Sequence, residues 1–209
     1  MRVTPFVKVV SLAAYALAAG LLASGTALAT PVYMPTGAQA NVALSTVTGG
    51  GWTQCYAAAM ATTIGNAGEN VLNVCQGDYI MMAGRATGSQ TLLSLAATTR
   101  SDAIIDTGDN TGTYHLSNGA NWWYSDNWSW GFAGASESPY NFECGTADAG
   151  MCLHTLGFTG GYSINRIAGL NSSTDYEKLF FVASNSTQVP EPASLALLGV
   201  AAARRRSAA

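Results

Sequence analysis

Short runs of strand-forming residues recur along the chain between clusters of Gly, Asn, Asp and Ser, which are turn residues. Residues 78–83 and 91–97 are two such runs, and the segment between them has the composition of a hairpin loop. Residues 177–183 are apolar on both faces, as expected for a central strand that is buried on each side. The pattern predicts one all-β, mainly antiparallel domain, built as a sandwich or a barrel.

Other segments extend this prediction, with one exception near the N-terminus. Residues 121–132 predict a hairpin, and shorter strands are expected at 42–47, 103–106, 113–116, 152–158 and 162–168. Residues 56–73 are instead rich in Ala and lack alternation, which predicts a short helical segment. No repeat of fixed period stands out in the sequence, so a propeller or solenoid is disfavoured.

The first 29 residues resemble a secretory signal peptide. Arg2 and Lys8 provide a basic start, residues 9–22 form an apolar run, and a small-x-small site ends at Ala29. We therefore expect signal peptidase to cleave between Ala29 and Thr30. The alternative is an uncleaved membrane anchor, for which the apolar run is short.

The last 21 residues combine a motif, an apolar run and a basic end in that order. The motif is Val189, Pro190, Glu191 and Pro192, the run covers 193–203, and the basic end is Arg204, Arg205 and Arg206. This order resembles the PEP-CTERM sorting tail of Gram-negative bacteria. The resemblance implies recognition by an exosortase, cleavage near the motif, and delivery to the cell surface or an exopolysaccharide matrix. The alternative is an ordinary tail with a chance Pro-Glu-Pro.

The length of the apolar run limits how firmly the tail can hold the protein in a membrane. A helix of these 11 residues spans about 16 Å, whereas the hydrocarbon core is about 30 Å thick. We expect transient anchoring in the inner membrane with the arginines on the cytoplasmic side, followed by removal of the tail. Retention of the tail as a weak anchor stays open. The chain thus divides into a signal peptide (1–29), a secreted β-rich domain (30–188) and a sorting tail (189–209).

The charge of the body differs from that of the ends. Residues 30–189 contain four basic and eleven acidic residues, a net charge of −7. An acidic body without a basic stripe excludes the usual electrostatic footprint of a nucleic-acid-binding protein. The charge is compatible with solubility outside the cell or with cation binding.

All four cysteines lie in the exported part of the chain. An even number of cysteines in an oxidising compartment predicts disulfides, and four cysteines allow three connectivities. We favour Cys55–Cys75 and Cys144–Cys152, because each pair closes a short loop. Zinc is disfavoured, because neither spacing matches the knuckles of a structural zinc site.

Four tryptophans fall within nine residues of the predicted hairpin. With a two-residue turn at Asp126 and Asn127, the core face would consist of Trp123, Trp128, Trp130 and Phe132. Trp122 and Tyr124 would then face outwards beside small residues and form a platform on which sugar rings could stack. The alternative is that both faces are covered and that these rings are ordinary core residues.

Signals of enzymatic chemistry in the sequence are weak. The segment 106–108 reads Asp-Thr-Gly after two isoleucines, as in aspartic proteases, but the chain contains no second copy. The alternatives are a polar turn, or a calcium loop with oxygen ligands from Asp102, Asp106, Asp109 and Asn110. His115 and His154 are the only histidines, and no nucleophile elbow or zinc-protease motif accompanies them.

These features favour an exported, exosortase-sorted protein of the cell surface or extracellular matrix, without enzymatic activity and with polysaccharide as the expected ligand. No cofactor or metal is expected. The expected partners are signal peptidase and an exosortase, each transiently, and an exopolysaccharide. The alternative is a secreted hydrolase, either a glycosidase or an aspartic-protease-like enzyme.

Overall fold

A computed structural model describes residues 28–29, 31–137 and 147–187. Its short α-helices are α1 (Leu44–Gly49), α2 (Glu69–Leu72) and α3 (Arg100–Ala103), and its 3-10 turns are Asn66–Gly68 and Leu170–Ser172. Its strands are β1 (Leu28–Ala29), β2 (Val42–Ala43), β3 (Thr53–Ala59), β4 (Tyr79–Ala86), β5 (Thr91–Leu92), β6 (Ser94–Thr99), β7 (His115–Ser117), β8 (Ala120–Tyr124), β9 (Ser129–Gly134), β10 (Met151–His154), β11 (Gly161–Ile164), β12 (Tyr176–Ala183) and β13 (Ser186–Thr187).

Two antiparallel sheets pack face to face, so the predicted all-β sandwich is confirmed. One sheet has the order β3-β12-β4-β6 and the other β11-β10-β9-β8-β7. Large apolar side chains from both sheets fill the space between them, including Trp130 and Phe180, whose ring centroids are 5.1 Å apart. Two short ladders, β1 with β13 and β2 with β5, complete the described pairings.

The four-stranded sheet is buried on both faces. Its second face packs against α1 and the residues around it, with Val47 and Trp52 covering Met81 and Phe181. Strand β12 lies between β3 and β4 and has Phe180 on one face and Phe181 on the other. The prediction of a central strand at 177–183 is therefore confirmed.

Three local predictions are wrong. Residues 44–49 form α1 rather than a strand, because pairing with β5 stops at Ala43 and the helix then buries Val47. The first part of the predicted helix at 56–73 belongs to strand β3, because its alanines form backbone hydrogen bonds with β12 as part of the sheet. Residues 100–103 form α3, whose N-terminus is capped by the Thr99 hydroxyl, instead of leading into a strand.

The Cys55–Cys75 disulfide is confirmed, with the two Cα atoms 5.2 Å apart. It joins an irregularity in β3 to the segment after α2. Cys152 is buried and is not a free thiol. Cys144 lies outside the described residues, so the Cys144–Cys152 pairing stays a prediction.

Several expectations about the chain ends fall outside the described residues. These are Thr30, the motif Val189, Pro190, Glu191 and Pro192, and the basic end Arg204, Arg205 and Arg206. Ala29 pairs with Ser186 in the β1–β13 ladder, which places the expected signal-peptide junction beside the segment leading to the tail. In the part of the chain that is described, none of the helices has the length and apolar character needed to cross a membrane.

Candidate functional site

The β8–β9 hairpin has a different register from the predicted one. Tyr124 pairs with Trp130 and Trp122 with Phe132. The Ser125 amide donates to the Ser129 carbonyl at 3.0 Å, so the turn holds three residues, 126–128, rather than two. A shift of one residue moves every side chain of a strand to the opposite face.

This register overturns the predicted aromatic platform. Trp122 is fully buried and Tyr124 is 6% exposed, and both face the space between the sheets. Trp122 packs on Phe132 and Tyr124 on Trp130, with ring centroids 5.3 and 5.6 Å apart. The alternative reading of these rings as core residues is therefore the correct one.

Of the three tryptophans expected on the core face, Trp130 lies there and the other two do not. Trp123 is buried on the outer face of the five-stranded sheet, where its indole N–H donates to Ser129 Oγ at 3.0 Å. Trp128 is half-buried in the turn itself. The signal that sequence reasoning missed is the pair Ser125 and Ser129, whose hydrogen bonds stabilise the longer turn.

Four loops meet at the end of the sandwich formed by this turn. They are residues 64–68, 104–111, 126–128 and 155–159, and we call them the loop cluster. Loops at the ends of β-sandwiches are common positions for binding residues, since the sheets hold them in place. The loop cluster is the candidate functional site.

Direct hydrogen bonds hold the four loops together. The Ala67 amide lies 3.0 Å from the Asp126 carbonyl and 3.1 Å from the Thr155 carbonyl. The Gly157 amide donates to Asn66 Oδ1 at 2.9 Å, and the Thr107 amide donates to the Tyr124 carbonyl at 2.8 Å. The arrangement is thus a connected surface rather than four independent loops.

The Tyr124 hydroxyl is the buried centre of these contacts. It lies 2.7 Å from the Ala67 carbonyl oxygen and 3.0 Å from Asp126 Oδ1. Burial, followed by the hydrogen bond to Asp126, raises the pKa of Tyr124 well above its usual value. The hydroxyl therefore remains a hydrogen-bond donor across the physiological pH range.

The exposed side chains of the loop cluster include acids, amides, Ile105, Thr111 and one large aromatic ring. Phe158 is 83% exposed. The acids and amides are Asn66, Asp106, Asp109, Asn110, Asp126 and Asn127. Neither lysine nor arginine occurs in the four loops, so the surface is acidic.

The Asp-Thr-Gly segment forms part of this scaffold. Asp106 Oδ1 accepts a hydrogen bond from the Gly108 amide at 2.8 Å, which is a local turn. The Thr107 hydroxyl donates to the Tyr124 carbonyl at 3.0 Å. The polar-turn interpretation is therefore the one that the geometry favours.

The two histidines and the acidic segment 102–110 lie in different segments of the described structure. No three His, Cys, Asp or Glu side chains of the described residues come together, and this includes the acidic residues of the segment 102–110. His115 lies on β7 facing inwards, whereas His154 lies on the outer face of β10 against Tyr162. Burial lowers the pKa of His154.

Lys178 is a buried charged residue that sequence reasoning did not single out. Its ammonium group donates to the backbone carbonyls of Ala59, Met60 and Thr62, where the chain leaves β3. No carboxylate is among these partners. Burial lowers the pKa of Lys178 to about 8. These contacts fix the path of the chain from β3 towards the loop cluster.

Comparison with known proteins does not assign the chain to a family. No protein-family model matches it, and neither a curated protein nor a solved structure shows significant similarity.

Proposed function

We propose that this chain is an exported, exosortase-sorted protein of the cell surface or extracellular matrix, which binds polysaccharide through its loop cluster and has no enzymatic activity. The observation that carries the binding proposal is the exposed Phe158 ring, which follows the Gly157 amide bonded to Asn66, within hydrogen-bonded loops that carry exposed Asp and Asn side chains. Export and sorting are supported by the likeness of residues 1–29 to a signal peptide and of residues 189–209 to PEP-CTERM signals.

The chemistry of the loop cluster suits a sugar. The C–H face of a pyranose ring can stack on an aromatic ring such as Phe158, and carboxylates and amides can bind its hydroxyl groups. The amide of Gly157, the residue before Phe158, donates a hydrogen bond to the Asn66 side chain. The Ala67 amide donates to the Asp126 carbonyl. A sugar on Phe158 would therefore lie near Asn66 in the loop 64–68, and that loop is hydrogen-bonded to the turn that carries Asp126.

The charge of the loop cluster selects among polysaccharides. Asp106, Asp109 and Asp126 are exposed, and the four loops hold no basic residue to offset them. An anionic polymer would be repelled at this surface, and the repulsion would increase at low salt. We therefore propose a neutral polysaccharide as the ligand.

The test is binding of the exported protein to arrays of neutral and acidic glycans. We expect retention on neutral glycans that the Phe158→Ala variant loses while its Tm stays unchanged, since the ring is exposed. Leu116→Ala is the matched control, because Leu116 is 65% exposed on β7, outside the loop cluster. Equal binding by wild type and Phe158→Ala, or binding only to acidic glycans, would contradict the proposal.

A further inference from the structure

Among the described residues, strand β3 has a partner strand on one side only and forms an edge of the four-stranded sheet. It pairs with β12 on one side, and Met60 immediately after it donates its amide to the Tyr176 carbonyl at 2.8 Å. In an antiparallel ladder the backbone N–H and C=O groups of successive residues point to opposite sides of the strand. Those of Ala58 therefore point towards β12, and those of Ala57 point away from it. Ala57 is exposed, and its outward groups have no hydrogen-bond partner among the described residues.

The other sheet edges of the described domain are shortened or covered. On the outer side of β6, Gln39 and Leu95 exchange two backbone hydrogen bonds of 2.8 and 2.9 Å. On β11, Ile164 exchanges two with Ile167, and β7 is only three residues long. Proteins commonly block strand edges in these ways to prevent unwanted pairing. The seven-residue β3 is the exception.

The composition of β3 also differs from that of a protected edge. Its sequence is Thr-Gln-Cys-Tyr-Ala-Ala-Ala, without the charged residue or proline that usually guards an open edge. Although the body carries a net charge of −7, β3 itself is uncharged, so pairing along it places no like charges directly opposite each other.

We propose that two copies of this chain pair antiparallel through β3 and form one continuous eight-stranded sheet. With the two-fold axis at Ala57, each Ala57 amide donates to the Ala57 carbonyl of the other copy, so the pairing is self-complementary. Tyr56 then lies opposite Ala58 of the other copy, a large side chain beside a small one. The irregularity at Cys55 and the turn after Ala59 limit the paired segment to a few residues.

A contact of this size is weak in dilute solution, because stable interfaces bury about 1,200–2,000 Å² in total. Strand addition at a sheet edge nevertheless gives specific backbone pairing, and it becomes significant where copies are concentrated on a surface or in a matrix. Self-association through β3 is independent of sugar binding, because β3 contributes no residue to the loop cluster.

Sedimentation velocity of the exported protein over a range of concentrations is the first test. We expect a monomer–dimer equilibrium that Ala57→Lys abolishes, since a charge at the axis would face its own copy. Thr46→Lys is the matched control, with the same charge change on the exposed surface of α1. A monomer at every concentration, or equal dimerisation by wild type and Ala57→Lys, would overturn the proposal.

Cysteine cross-linking locates the axis. Residues in a hydrogen-bonded antiparallel pair have Cα atoms about 5.5 Å apart, which is within the range that a disulfide spans. We expect Ala57→Cys to give a covalent dimer on mild oxidation and Thr46→Cys to give none. Equal cross-linking of both variants, or none with Ala57→Cys, would rule out pairing centred on Ala57. Matching circular dichroism spectra for all variants would show that each is folded.

Discussion

The hydroxyl of Tyr124 lies 2.7 Å from the carbonyl oxygen of Ala67, and this contact joins the β8–β9 hairpin to the loop that precedes α2. Residue 67 has a backbone φ of 54°, a left-handed conformation that is uncommon for alanine. The hydrogen bond and the two carbonyls that approach the Ala67 amide help to hold it there. The position of the loop cluster therefore depends on a side chain buried in the core.

Tyr124→Phe is expected to destabilise the protein by about 1–2 kcal/mol, because the Ala67 carbonyl loses its hydroxyl donor while the ring packing on Trp130 is kept. Denaturant unfolding measures the change. Glycan affinity should fall as well, since the loops lose a shared anchor. Tyr162→Phe is a suitable control, because Tyr162 is an aromatic residue outside the loop cluster. An unchanged stability in Tyr124→Phe would show that the hydroxyl is not an anchor.

Gly131→Ala is expected to destabilise the hairpin by about 1–3 kcal/mol. Gly131 pairs with Trp123, and a Cβ atom at residue 131 would collide with the indole ring and with the Met151 carbonyl oxygen. Thermal unfolding measures the loss. Gly49→Ala on α1 is the control, because a Cβ atom there would meet nothing within 4 Å and the backbone φ is not left-handed. A wild-type Tm for Gly131→Ala would show that Trp123 can move away at little cost.

Removal of the Cys55–Cys75 disulfide by a double serine substitution is expected to cost about 3 kcal/mol, because the bond closes a loop of 20 residues in the unfolded chain. Urea unfolding of the double variant and wild type gives the difference. Substitution of both cysteines leaves no free thiol at this position that could exchange. A difference near zero would mean that the unfolded chain is already constrained there.

Lys178 gives the protein a distinctive pH dependence. Its pKa is about 8 in the folded protein and 10.5 in an ordinary exposed lysine, so the unfolded chain binds more protons between these pH values. The free energy of unfolding should therefore rise with pH from about 8 towards 10. Lys178→Met should lack this rise in denaturant titrations at pH 8, 9 and 9.5. An identical slope in both proteins would show that Lys178 keeps an ordinary pKa.

Much of the fold could be predicted from the sequence because alternation and turn residues act locally. The central strand around Phe180 and the disulfide at Cys55 follow from local patterns. The register of the β8–β9 hairpin could not be predicted in this way. It depends on hydrogen bonds of Ser125 with Ser129 and Thr155, which the spacing of residues along the chain does not reveal. Because the turn has one residue more than predicted, the side chains of β8 lie on the opposite faces from those predicted.

The loop cluster could not be predicted from sequence for a related reason. Asn66, Asp126 and Phe158 are far apart in the chain, and each is an ordinary turn residue in its own segment. They come together because β3, the β8–β9 hairpin and β10 all end at the same side of the sandwich. Only the topology of the two sheets brings these residues together.

Export followed by processing at both ends is the central claim, and intact-mass spectrometry of the protein collected from the cell surface tests it most directly. We expect a chain that begins at Thr30 and ends near Val189, without the apolar run and the three arginines. Replacement of Pro190, Glu191 and Pro192 by alanine should leave the precursor in the inner membrane. A surface protein that still carries Arg204, Arg205 and Arg206, or that still begins at Met1, would contradict the claim.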